Sequence, residues 1–136
     1  MRTLLFGLLL CAGLLTAAVC DARCRTIPYS ACALIAAAGL ISFSPAHFYA
    51  LILALPFWAA SRGNRGGMGD VFLIAASSFA LGLSRGAIGL AFGLFCFCLY
   101  YPAAAAVRRH REGKIPASLP LAPFLAAGYL AAYFMI

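Results

Sequence analysis

Residues 3–25 read TLLFGLLLCAGLLTAAVCDARCR: an uncharged apolar run, then Asp21, Arg23 and Arg25 at its end. A hydrocarbon core about 30 Å thick is crossed by about 20 apolar residues, and by no fewer than about 17. The run therefore has the length of one crossing, and the charges behind it mark where it meets water. Outward from it, further apolar runs occupy residues 27–43, 46–60, 71–83, 87–107 and 119–136, separated by Gly, Pro, Ser or Arg. With 65% hydrophobic and 10% charged residues and a mean hydropathy of +1.01, this composition excludes a water-soluble globule. The expected fold is all-α: one polytopic domain, residues 1–136, with six transmembrane helices. The fourth run is the shortest and calls for a helix over residues 69–84, its apolar part beginning at Val71.

The cations set the orientation. With the N-terminus outside, Arg23, Arg25, Arg62, Arg65, Arg108, Arg109, Arg111 and Lys114 fall in cytoplasmic loops, leaving only Arg2 and Arg85 outside. That asymmetry follows the positive-inside bias and places both termini outside. Residues 1–20 could instead be read as a signal peptide, with Arg2 ahead of the apolar stretch 4–15 and the small Ala17 and Ala18 behind it. That reading exports Asp21, Arg23 and Arg25 against the bias, so the spanning reading is kept. The basic loops serve topology and contact with membrane lipid; nucleic acid is not an expected partner.

Acids are scarce: Asp21, Asp70 and Glu112 are the full set. Glu112, three and four residues after Arg109 and Arg108, reads as half of a surface ion pair. The two aspartates differ from it, because in this topology both lie at the cytoplasmic face, Asp21 ending the first helix and Asp70 opening the fourth. Asp70 also closes Gly67-Met68-Gly69-Asp70, a Gly-x-Gly-Asp motif. An aspartate at a membrane boundary beside arginines is commonly a solvated helix end; two at one depth, one of them in this motif, point to chemistry.

These residues resemble the type IV prepilin peptidase family, which includes the peptidases of Tad-type prepilins and archaeal preflagellins. Asp21 through Thr26-Ile27-Pro28 is similar to the family's first catalytic aspartate with its following Ile-Pro pair. Gly67, Gly69 and Asp70 match its second motif, and Pro120-Leu121-Ala122-Pro123-Phe124 resembles the start of its last helix. The resemblance implies a membrane aspartyl endopeptidase with Asp21 and Asp70 catalytic, Gly67, Gly69, Ile27, Pro28 and Pro123 in support, and six helices in the cytoplasmic membrane. Its substrates would be prepilin-like proteins, each a basic leader ahead of a hydrophobic helix. Longer family members add a Cys-x-x-Cys domain and N-methylate the product; nothing here corresponds to it, so cleavage without methylation is implied. Tyr29 and Phe72 stand where the family usually carries Asn and Lys.

The chemistry can be argued from the carboxyls alone. Amide hydrolysis by two acids needs one ionised, to take a proton from water, and one protonated, to polarise the carbonyl. Helix dipoles suggest Asp70, at a helix N-terminus, as base and Asp21, at a C-terminus, as acid; Arg23 and Arg25 act in the opposite sense. Gly66, Gly67 and Gly69 are expected to give the backbone positive φ or room for a substrate chain. Pro56, Pro102, Pro116, Pro120 and Pro123 are expected to bend the third, fifth and sixth helices. Phe95, Phe97, Tyr100 and Tyr101 read as lipid-facing or interfacial anchors.

No cofactor or metal is expected. Cys20-x3-Cys24 and Cys96-x-Cys98 lack zinc-pair spacing, and all six cysteines read as small hydrophobes in apolar helices. His47 and His110 fall on opposite faces, and Lys114 lies in a polar loop where nothing would desolvate it for nucleophilic work. The competing class is a small non-enzymatic membrane protein, a proton-coupled transporter or an assembly subunit, in which the aspartates carry protons or hold helices together.

Overall fold

Turn chemistry decides where each helix ends. In the computed structural model, which describes residues 1–63, 67–113 and 119–135, α1 (Arg2–Cys24) stops because Arg25 takes a left-handed conformation, φ 57°, its N–H bonding back to the Asp21 carbonyl. Pro28, extended at ψ 135°, then opens α2 (Tyr29–Ile41). Ser44, held out of helical space by Pro45 behind it, precedes a 3₁₀ helix, Pro45–Ala54. That segment passes directly into α3 (Leu55–Arg62), where Pro56 sits in the first turn and costs no hydrogen bond.

The remaining elements are α4 (Met68–Leu81), α5 (Leu83–Glu112) and α6 (Ala122–Met135). Every described element is helical, as expected. The fourth helix does not run on to Ser84: Gly82, at φ 83°, ends it and starts α5 at Leu83. Gly113, at φ 65°, closes α5 with its N–H on the Arg109 carbonyl. Arg65, Gly66, Lys114 and Pro116, named above, lie outside the described residues.

Two helices, α1 of 23 residues and α5 of 30, are long and apolar enough to cross a membrane. Apolar helices α2, α4 and α6 are shorter, at 13, 14 and 14 residues. Of the prolines expected to bend helices, Pro102 alone lies within a helix body among the described residues; Pro56 and Pro123 occupy first turns and Pro120 precedes α6.

Helix α4 touches every other element. Its Leu73, Ile74, Ser77 and Ser78 are fully enclosed, against Leu10 and Leu14 of α1, Ile35 of α2, and Leu125 and Tyr129 of α6 in one core. The Ser78 and Tyr129 hydroxyls meet at 3.1 Å, so the phenol brings its polar end into the core already partnered. The α5–α6 contact is closer still. Gly89 and Gly93, one turn apart, face Gly128, where an added Cβ would stand 2.6 Å from the Gly93 nitrogen and overlap the Gly89 carbonyl. This small-xxx-small seam lets two backbones touch, gaining dispersion contacts that do not depend on expelling water. Outward, Leu4, Leu8, Phe95 and Leu99 are exposed, an apolar face on α1 and α5 that suits hydrocarbon as solvent.

Candidate active site

The last turn of α1 carries Asp21 and the first turn of α4 carries Asp70, and both line one open cleft of about 340 Å³. Arg25, Thr26, Ile27 and Tyr29 line it from the α1–α2 connection, and Gly67, Met68 and Gly69 from the start of α4. The left-handed turn at Arg25 reverses the chain here and brings the Ile27-Pro28 pair up to the Gly-x-Gly-Asp segment. The two motifs touch: a Cβ added to Gly69 would stand 3.1 Å from the Ile27 Cβ, tighter than ordinary packing allows.

Of the two services expected of Gly67 and Gly69, positive φ is not what they supply. Among the described residues, positive φ at glycine occurs only at Gly82 and Gly113; Gly67 is extended at φ −76° and Gly69 is helical. What the site needs from them is room. A Cβ on Gly67 would meet the Asp70 Oδ2 at 3.5 Å, and one on Gly69 would press on Ile27. Pro28 acts as the cap of α2, and Pro123 lies one residue past the group described next.

Asp21 is 8% exposed, and its Oδ2 accepts the Ala122 N–H at 3.0 Å. Ala122 is the first residue of α6, whose leading N–H groups have no partner within their own helix. The carboxylate thus caps a helix far away in sequence, and the positive end of that helix favours negative charge at Asp21. Asp70 stands ahead of the apolar part of α4, at the polar end of the bundle. Its carboxyl is raised from the ordinary range to about 6, first by burial and second by the charge of Asp21.

This reverses the order expected from the dipoles of α1 and α4. Below about pH 6 the proton stays on Asp70, held there first by burial and second by the charge of Asp21, while α6 supplies the donor that Asp21 accepts. Two carboxyls in one cleft, with Asp70 protonated below about pH 6, can supply the base and the acid that amide hydrolysis requires.

The residues that depart from the resembled family meet as well: the Tyr29 and Phe72 rings pack edge to face at 5.5 Å beside the cleft. Phe97 and Tyr100, expected to be lipid-facing or interfacial, also pack on Phe124 at 5.6 and 5.0 Å at the start of α6, Tyr100 keeping an exposed face. Sequence reasoning did not find Ala122. Pro120 and Pro123 were its only signal, since they bracket a helix start whose free N–H groups need an acceptor. Compared with models of protein families, with curated proteins and with solved structures, the chain finds no match.

Proposed function

We propose that this chain is a multi-pass aspartyl endopeptidase of the cytoplasmic membrane, with six crossings and both termini outside, that removes basic leaders from prepilin-like proteins. The observation that carries this reading is the cleft shared by Asp21 and Asp70, with Gly67, Gly69 and Ile27 keeping it open. In the proposed reaction the Asp21 carboxylate takes a proton from water as the oxygen attacks the scissile carbonyl, and Asp70 donates its proton to the carbonyl oxygen. The gem-diol intermediate then collapses: the proton held on Asp21 passes to the departing amine as the C–N bond breaks, and a hydroxyl proton returns to Asp70 as the new carboxyl forms.

An apolar groove adjoins the cleft through Tyr29 and continues along Cys32, Ala33, Ala36, Ala75 and Ala76. Its small side chains suit close approach by the substrate's hydrophobic helix, whose leader junction would then reach the carboxyls. Six crossings are supported by the third run as well: ten 3₁₀ residues and eight α-helical ones extend about 20 and about 12 Å, enough together for a bilayer. The test is to reconstitute the chain in liposomes with a prepilin carrying a basic leader and to weigh the products. Release of the leader at its junction with the hydrophobic helix is expected. An intact substrate beside correctly inserted protein, from about pH 5 to 8, would overturn the reading.

A further inference from the structure

The first residues of α6 settle their N–H groups at the helix start itself, Ala122 excepted. Pro123 has no N–H to give, and those of Phe124 and Leu125 both bond to the Leu121 carbonyl at 3.1 Å. Ala122 is left as the leading donor that must find its acceptor elsewhere, and the acceptor is the Asp21 Oδ2 at 3.0 Å. Ala122 is fully enclosed, so water does not compete for this N–H. A carboxylate held by one directional bond turns with its donor. Where α6 starts therefore decides where the Asp21 carboxylate points.

The start of α6 is in turn fixed from α5. The Phe124 ring meets that of Tyr100 at 5.0 Å, tilted, and that of Phe97 at 5.6 Å, edge to face. Its backbone is gripped as well: a Cβ added to Gly93 would stand 2.8 Å from the Phe124 carbonyl oxygen and 3.1 Å from the Leu125 Cα. Phe124 is thus held by side chain and by main chain, two residues after the donor to Asp21. Helix α5 itself contributes nothing to the carboxyl cleft. Its hold on the site passes through this one residue of α6.

We propose, on the peptidase reading above, that Phe124, clamped by Tyr100 and Phe97, is a positioning residue for Asp21: it fixes the Ala122 N–H and through it the carboxylate that activates water. Hydrogen exchange at the Ala122 amide is followed by nuclear magnetic resonance on the intact chain in nanodiscs, and cleavage of a prepilin with a basic leader is measured from about pH 4 to 8. Phe124→Ala should speed exchange of that amide at least about tenfold and lower kcat about tenfold with KM unchanged. It should also move the acidic fall in rate about one unit toward higher pH, because a carboxylate without its donor takes up a proton more readily. Phe124→Tyr keeps the ring and should return all three toward wild type. Should Phe124→Ala not fold, Tyr100→Ala removes a ring that is already half exposed and should shift the same three in the same direction. Phe95→Ala, on the exposed side of the same helix, should leave them unchanged. Wild-type exchange at Ala122 in both clamp variants, or an equal change in Phe95→Ala, overturns the proposal. So does faster exchange with kcat and the acidic limb unmoved, since the rings would then serve packing alone. Faster exchange in the variants of a chain whose wild type cleaves nothing overturns the peptidase reading instead, and leaves Phe124 as the residue that positions Asp21.

Discussion

At one end of the bundle two carboxyls share a cleft with Arg25, and Asp21 caps the start of α6; at the other, two arginines begin helices around a cavity that no acid lines among the described residues. The first end has its charges answered within the protein, by a backbone N–H and by a proton held on Asp70. The second gathers Arg2, Arg85 and the His47 imidazole around one space. In a chain with three acids and ten basic residues, charge placed against its local dipole is the informative kind, since a surface chosen for solubility alone would not put it there.

The comparison breaks most completely if the acids at the first end are dispensable. Asp21→Asn and Asp70→Asn each keep size and shape while removing the ionisable group, and each should lower cleavage by at least about a thousandfold with insertion unchanged. Near-normal turnover by either variant, measured by leader release, would end the catalytic reading of that cleft.

A second, smaller effect is set by pH. The Asp70 proton is held below about 6 and lost above it, and the reaction needs that proton, so activity should fall as pH rises. Between pH 6 and 8 the loss should be about fiftyfold, since one required proton is half bound at its own midpoint and falls about tenfold per unit well above it. In Asp21→Asn the Asp70 titration, followed by infrared absorption of the carboxyl, should move down yet stay above the ordinary range, because burial is the larger cause. A flat rate profile across this window would assign the proton elsewhere.

The glycines sharpen the contrast between the ends. Gly69→Val introduces no φ strain but pushes on Ile27, and should cost about tenfold in cleavage, the equivalent of about 1.4 kcal/mol, with expression retained. Gly82→Ala acts through conformation, since φ 83° is costly for any side chain, and should lower stability by about 1 kcal/mol in a denaturation series. If Gly69→Val instead unfolds the protein and Gly82→Ala leaves its stability unaltered, the roles given to the two glycines are exchanged.

Much of this architecture was legible because the helices stand in the sequence as uninterrupted apolar runs, and each run found a helical element. Pro28 and Gly113 marked helix ends through their fixed or positive φ. The 3₁₀ character of Pro45–Ala54 was not legible, since nothing in PAHFYALILA separates an i+3 from an i+4 ladder. Gly82 lies in an apolar stretch with nothing beside it to mark a boundary, and only its conformation shows it dividing two helices. The aspartates themselves stood out by scarcity. Their protonation order did not, because the deciding donor, Ala122, comes from a helix that no local rule connects to Asp21.

The brevity of α4 has a consequence for solvent. Its 14 residues rise about 21 Å, well short of a hydrocarbon slab about 30 Å thick, and it contacts every other element. In the proposed multi-pass arrangement a helix that short would not reach both headgroup layers, and the membrane would thin around the bundle or a dimple of water would reach down to its ends. Hydrolysis consumes water, which hydrocarbon hardly dissolves. A central helix too short for its membrane would draw that reactant down to Asp70 with no dedicated channel.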